Sequence, residues 1–205
     1  MTIETLHGLR MERLAFPARS PALETLVDDR EERLALDAIR ALTATVSNNP
    51  WDYVRAPFAC PAVSRFSDGA YGVLSAANSL VTAIRESAYH LTRIYTDGRA
   101  PAMETRRLHL GLRLAGAVVD ARRRTDPRID QAIYDPEAYA VAQAFGAKAR
   151  SRARGLHYDS VRNSKGGHCV CAFAPDLVRH ARITSTCAFV WDGRQFVEEH
   201  DIRML

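Results

Sequence analysis

The chain has 205 residues, a formal net charge of +4, and 47% hydrophobic residues. This length suits one globular domain with an extension, and this apolar content argues against gross disorder. A charge of +4 is too small to require a nucleic-acid partner. No segment has the roughly 20 apolar residues that cross a bilayer, and residues 1–10 lack the apolar stretch of a signal peptide. We therefore expect a cytoplasmic protein that contacts neither a membrane nor nucleic acid directly.

The first part of the chain, residues 1–56, is predicted to be a partly helical N-terminal extension. Ser20-Pro21 is a helix start, and apolar residues then recur at helical spacing over about 21–47. Asn48-Asn49-Pro50 is expected to end that segment. The apolar stripe either packs against the main domain or forms a surface for a homodimer or another partner.

Residues 57–205 are predicted to form the main domain, in which helices alternate with short strands. Ser79 is expected to cap the first helix, Asp135-Pro136 to open the second, and Gly166-Gly167 to form a turn between strands. The predicted helices are 79–93 and 136–152. The predicted strands are 71–76, 108–114, 155–159, 168–174, 184–191 and 195–198. The expected fold class is therefore α/β of the α+β kind, with mainly antiparallel strands and flanking helices.

The cysteines and the densest basic run are both predicted to be structural. No C-x-x-C pair is present among Cys60, Cys169, Cys171 and Cys187, so we expect buried thiols and no metal site. Acidic residues flank the run Arg122–Arg124, which is expected to be a solvated turn rather than a DNA contact.

Two segments carry a recognisable arrangement of polar residues. The first runs from Ser64 to Leu74 (SRFSDGAYGVL) and continues in the helix as TAIRESAYH, residues 82–90. The second is GLHYDSVR, residues 155–162, followed by GGHC, residues 166–169. Together they resemble the RES domain, a family named for its arginine, glutamate and serine. The resemblance extends over about residues 65–194 and includes Asp135-Pro136, Gln143 and Trp191-Asp192-Gly193.

The resemblance implies a fold similar to that of ADP-ribosyltransferases and a toxin that consumes NAD⁺ as its substrate. The activities it implies are hydrolysis or phosphorolysis of NAD⁺ and, in some members, ADP-ribosylation of a protein. It also implies a cognate antitoxin, with a DNA-binding helix-turn-helix element, that blocks the cleft. The family's catalytic arginine, glutamate and serine correspond here to Arg65, Glu86 and Ser160.

The chemistry of the expected reaction suits these residue types. Cleavage of the nicotinamide–ribose bond builds positive charge on the ribose, which a carboxylate such as that of Glu86 stabilises. Arg65 could grip the pyrophosphate or the ribose with its planar guanidinium. Ser160 could orient either Glu86 or the nicotinamide amide. No metal is needed for this chemistry.

The predicted binding residues are Arg65, Tyr71, Ser75, His90 and Arg162. His90 and Arg162 are expected either to contact the ligand or to support the site. Ser75 departs from the family pattern, because the resemblance implies a tyrosine there whose ring stacks on the ligand. Tyr71 is an unlikely replacement, since four residues along a strand correspond to about 13 Å.

Three functions remain open at this level. An NAD⁺-consuming RES toxin is the leading hypothesis, and a catalytically weakened nucleotide-binding or interaction module on the same fold is the alternative that Ser75 favours. A basic nucleic-acid-binding protein rests only on the net charge and is the weakest of the three.

Overall fold

The computed structural model describes residues 1–16, 47–125 and 128–197, and the backbone of residues 202–204. In chain order the strands are β1 (Thr2–Ala15), β2 (Leu74–Ala77), β3 (Met103–Asp120), β4 (Gly155–Asp159), β5 (His168–Ala172), β6 (Val178–Trp191), β7 (Phe196–Val197) and β8 (Ile202–Met204). The α-helices are α1 (Pro50–Ala59), α2 (Leu80–Asp97) and α3 (Ala140–Arg150). Short 3₁₀ helices cover Gln131–Tyr134 and Pro175–Leu177. The predicted helix at 21–47 lies outside the described residues.

All eight strands of the described chain belong to one mixed sheet, in the order β1-β2-β5-β4-β3-β6-β7, with β8 on β6. β1 also pairs with β3, so β1, β2, β5, β4 and β3 form a closed circuit of strands. Every recorded pairing is antiparallel except that of β3 with β4. The predicted α+β fold class with mainly antiparallel strands is confirmed.

β1 is a long strand that the sequence analysis did not predict. It pairs with β3 from Thr2↔Asp120 to Ala15↔Leu108, within the same sheet as the strands of the predicted main domain. The register shifts once, between His7 and Leu9, and Gly8 at that point has φ +78°. Glycine adopts this left-handed conformation at low cost, so the bulge interrupts the strand without ending it. The bulge hides the alternation of apolar residues that predicts a strand.

Two helix starts differ from their predictions. Asn49 and Pro50, which were predicted to end a segment, begin α1: the Asn49 side chain accepts a hydrogen bond from the Trp51 N–H at 3.2 Å, and proline fits the first helical turn. α3 begins at Ala140 instead of 136. The Asp135 carboxylate accepts hydrogen bonds from two following backbone N–H groups, so this segment forms a turn before the helix.

The other predicted elements of the main domain lie where the sequence placed them, with shifted ends, whereas β8 and the two 3₁₀ helices were not predicted. Ser79 caps α2 by accepting a bond from the Thr82 N–H, as predicted. The strand predicted at 155–159 is confirmed residue for residue as β4. β3 and β6 are longer than predicted, and β2 begins three residues later than predicted, at Leu74.

The sheet has an apolar cluster on each face. The cluster that packs under α2 and α3 includes Ile84, Leu91 and Ala142, and the cluster under α1 includes Tyr53 and Val54. The alternating leucines of β3 belong to the second cluster. No helix of the described residues is long and apolar enough to cross a membrane.

Burial corrects two sequence predictions about single residues. Cys169, Cys171 and Cys187 are buried as expected, whereas Cys60 is partly exposed. Arg122 is buried rather than solvated, because its guanidinium is paired with the Asp120 carboxylate at 2.6 Å. The pair was not apparent from the sequence, because the two residues are only two positions apart. The chain bends after β3, and both side chains are buried there.

Candidate active site

A cavity of about 260 Å³ lies between α2, the turn at residues 64–66 and strands β1 to β3. Four of the predicted site residues line it: Arg65, Ser75, Glu86 and His90. These residues come from the turn, from β2 and from α2, which the fold brings together. The remaining three predicted residues, Tyr71, Ser160 and Arg162, are not among the described residues that line it.

Ser160 joins the site through Glu86. Its hydroxyl donates a hydrogen bond of 2.6 Å to Oε1 of Glu86, and Ser160 itself is only 4% exposed. The same hydroxyl oxygen accepts from the backbone N–H groups of Arg162 and Asn163, at 3.2 and 3.0 Å. The two N–H donors fix the hydroxyl, so that its proton points to the carboxylate. Of the two partners that the sequence analysis considered for Ser160, the structure places its hydroxyl on Glu86.

The loop that carries Ser160 is tied to α2 by Asn163, a residue the sequence analysis missed. Its side-chain amide donates to Oγ1 of Thr82 at 2.9 Å, and its carbonyl accepts from Arg85 at 2.8 Å. Asn163 is 8% exposed, so its polar groups need these partners. Because Thr82 and Arg85 precede Glu86 on the same helix, these bonds hold Ser160 in register with Glu86.

Arg65 lies in the cavity wall with part of its donor capacity already used. Its Nη1 donates to the backbone carbonyls of Ile133 and Asp135, at 3.1 and 2.6 Å. Its guanidinium also lies 4.6 Å from the ring centroid of Tyr139, which is a cation–π distance. Carbonyl and aromatic partners carry no formal charge, so the positive charge of the arginine is retained at the cavity.

α3 positions the turn that carries Arg65. Gln143 donates from its side-chain amide to the backbone carbonyls of Ser64 and Ser67. At Gly146 a Cβ would lie 2.2 Å from the carbonyl oxygen of Phe66, so only glycine allows this close approach of the helix. Gln143 was part of the motif resemblance, and the structure shows what it holds.

His90 and Arg162 have different surroundings. His90 lines the cavity one helical turn after Glu86, and loss of water around its ring lowers its pKa, against the opposing effect of Glu86. Arg162 lies over the ring of Tyr89 and donates to the backbone carbonyl of Pro136. Arg162 therefore holds the loop before α3. Of the two roles that the sequence analysis left open for it, contact with the ligand or support of the site, these contacts favour support.

Tyr71 is placed differently from its sequence prediction. It precedes β2 instead of lying on it, its hydroxyl donates to the carbonyl of Phe66, and its ring packs edge-on against Phe173. The prediction that Tyr71 lies on the same strand as Ser75 is therefore wrong. Ser75 is exposed on the cavity wall, and no tyrosine ring stands at that position.

Several cavity residues were not predicted at all. They are Arg13 and Phe16 from the end of β1, Arg107 from β3, Tyr139, and Tyr158 from β4. Two of them had a sequence signal: Arg107 occupies the face of β3 opposite the alternating leucines, and Tyr158 lies within the GLHYDSVR segment of the motif. Tyr158 is buried, which raises its pKa and keeps its phenol neutral.

A second polar cluster lies outside this cavity. Glu4, Asp120 and His157 bring potential ligand atoms within 4.8 Å of one another. Arg122 donates to both carboxylates, at 3.1 Å to Glu4 and 2.6 Å to Asp120, so a guanidinium already supplies the positive charge there. His157 is also bonded to Nδ1 of His168 at 2.8 Å. The cluster fastens the start of β1 to β4 and β5.

The family-level comparison agrees with the motif analysis. The model of the RES domain matches residues 37–192, which is more than half of the chain. A comparison with curated proteins gave no match. RES domains are toxin-like modules at the family level and are generally linked to NAD-acting enzymes. With the matched range covering α1 to β6 and both segments of the site, the chain belongs to the RES domain family.

Proposed function

We propose that this protein cleaves the nicotinamide–ribose bond of NAD⁺, with Glu86 as the catalytic carboxylate. The observation that carries the proposal is the Glu86 carboxylate at the cavity wall, held at 2.6 Å by the buried hydroxyl of Ser160. A carboxylate oriented in this way is suited to stabilise positive charge on a ribose. The retained charge of Arg65 in the same wall is suited to an anionic nucleotide.

In the proposed step the bond between C1′ of the ribose and the nicotinamide nitrogen breaks. Its electron pair leaves with nicotinamide, which departs neutral, and C1′ carries the positive charge that Glu86 stabilises. Water, inorganic phosphate or a protein side chain then forms the new bond to C1′, and the proton of a protonated acceptor passes to solvent. His90, which a lowered pKa keeps neutral, adds no competing positive charge beside the ribose.

The proposed biological role is that of a toxin acting in the cytoplasm, neutralised by an antitoxin that covers the cavity. Family membership is the support for this role. Expression of the chain alone should arrest bacterial growth and lower cellular NAD⁺, and a cognate antitoxin should reverse both effects.

The deciding experiment incubates purified protein with NAD⁺, in phosphate buffer and in phosphate-free buffer, and identifies the products by mass spectrometry. Wild-type protein should release nicotinamide, and Glu86→Gln should not, because the amide keeps the size but loses the charge. Glu104→Gln, on an exposed carboxylate of β3, is the matched control and should remain active. A folded Glu86→Gln protein with wild-type turnover would refute the assignment.

The second candidate is a weakened nucleotide-binding or interaction module, which Ser75 favours. An exposed serine on the cavity wall provides no aromatic surface at that point. In that case NAD⁺ or ADP-ribose should bind in calorimetry while nicotinamide release stays at the background rate.

A further inference from the structure

Two arginines besides Arg65 line the cavity. Arg13 from β1 and Arg107 from β3 both line it, and Arg107 is only 6% exposed. The guanidinium of Arg107 lies over the ring of Phe16, and Nη1 of Arg13 donates to the carbonyl of Ser75 at 2.8 Å. Both arginines are therefore held in defined positions at the cavity, by an aromatic ring in one case and a backbone carbonyl in the other.

The charges around the cavity favour an anionic ligand. Among the described residues, three arginines line it, Arg65 included, together with the two carboxylates of Glu12 and Glu86. Each carboxylate has a partner of its own: Oε2 of Glu12 is 2.7 Å from Nε2 of His109, and Glu86 accepts from Ser160. A guanidinium binds two oxygens of a phosphate at once, which a neutral sugar or base does not offer.

A second cavity, of about 240 Å³, adjoins the first. The two share five wall residues: Arg13, Ala15, Phe16, Ser64 and Val73. The far wall of the second cavity comes from α1 and includes Tyr53, Pro57 and Cys60. Arg13 therefore lies at the junction of the two cavities. A ligand with one nucleoside in each cavity would place the group that links the two nucleosides beside Arg13.

We propose that Arg13 and Arg107 form a subsite for phosphate at this junction. This deepens the proposed function, on which it rests, by assigning the anionic part of the substrate to residues outside the RES motif. The phosphate comes from the pyrophosphate of the dinucleotide, with its second nucleoside in the cavity beside α1, or from inorganic phosphate that attacks the ribose. Arg65, which is bonded to two backbone carbonyls, is left to contact the ribose.

The test replaces Arg13 and Arg107 singly by glutamine and compares them with Arg10→Gln and Arg106→Gln. The control arginines are exposed and lie on the same two strands. Binding of NAD⁺, nicotinamide riboside and inorganic pyrophosphate is measured by calorimetry in phosphate-free buffer. The KM for inorganic phosphate is measured by nicotinamide release.

If the subsite holds the pyrophosphate of NAD⁺, Arg13→Gln and Arg107→Gln should weaken binding of NAD⁺ and pyrophosphate by about tenfold or more, as loss of one charged hydrogen bond predicts. The riboside, which has no phosphate, should change by less than about threefold. If the subsite holds the attacking phosphate, the KM for inorganic phosphate should rise instead while NAD⁺ binding is kept.

Unchanged NAD⁺ binding together with an unchanged KM for phosphate would overturn the subsite, as would an equal loss in the two control variants. Arg13 is only partly buried, so Arg13→Gln carries the test if Arg107→Gln does not fold. Pyrophosphate binding separates the two proposals. If pyrophosphate binding depends on Arg13 but the protein does not cleave NAD⁺, the subsite is supported and only the proposed reaction is contradicted.

Discussion

Replacing Ser160 by alanine should weaken both the fold and the proposed reaction. The variant loses the hydrogen bond to the Glu86 carboxylate, and bonds of this charged kind contribute about 1.5–3 kcal/mol. It also removes the acceptor of two backbone N–H groups, those of Arg162 and Asn163, at roughly 0.5–1.5 kcal/mol each. Because these terms are not fully additive, we expect the free energy of unfolding to fall by about 3 kcal/mol. For a chain of this size that corresponds to a fall in Tm of about 6–12 °C.

The same substitution should lower kcat for nicotinamide release by roughly 10- to 100-fold, because a carboxylate displaced by about 1 Å loses that much. KM for NAD⁺ should change less, since Ser160 does not line the cavity. Thermal unfolding and steady-state kinetics measure the two effects. Ser164→Ala, in the same loop but exposed, is the control and should stay within about 0.5 kcal/mol of wild type. A Ser160→Ala protein with unchanged Tm and unchanged kcat would refute the role in holding Glu86.

Arg65 and Ser75 in the cavity, and His168, which is bonded to His157 of the second polar cluster, each allow a further test. Arg65→Lys should weaken NAD⁺ binding in calorimetry nearly as much as Arg65→Ala, because lysine lacks the planar guanidinium that binds two oxygens at once. Wild-type affinity in the lysine variant would show that Arg65 contributes only its positive charge. Ser75→Tyr should increase NAD⁺ affinity, by roughly 1–3 kcal/mol if the ring stacks on the ligand, whereas lower stability and activity together would indicate a cavity already rebuilt around serine. Burial, followed by the charge of the adjacent His157, lowers the pKa of His168 to about 4, compared with about 6.5 in an unfolded chain. Since the folded state then binds fewer protons, the free energy of unfolding should fall as the pH drops from about 6.5 to about 4, by roughly 1–2 kcal/mol after allowance for solvent screening at this partly exposed ring. His168→Asn should flatten that dependence in denaturant unfolding and the exposed His180→Asn should not; equal slopes in both would contradict the assignment.

The local sequence was sufficient for most elements of the main domain. Alternating leucines predicted β3, and Ser79 predicted the start of α2, because strand periodicity and helix capping act between residues close in the chain. The joint motif of Arg65, Glu86 and Ser160 also predicted the family. The link between Ser160 and Glu86, 74 residues apart, is a contact that the motif suggested and the fold supplies.

The sequence was misleading where a local signal has two meanings. Asn49-Pro50 was interpreted as the end of a segment, whereas in the structure it starts α1, since the same residues suit a turn and a helix N-terminus. Tyr71 was included in the predicted strand with Ser75, yet it lies in the turn before β2 and its ring packs against Phe173. Neither outcome is determined by residues within a few positions.

The sequence by itself determined the fold class and the family, and it suggested the pairing of Glu86 with Ser160, because these depend on periodicity and on residue types at a fixed spacing. Only the tertiary structure decided that β1 crosses the sheet beside β3 and brings Arg13 and Phe16 to the cavity. The bulge at Gly8 masks the strand pattern, and the pairing partner lies about a hundred residues away. Pairing at such a distance is selected by the packing of the whole sheet, which no local pattern records.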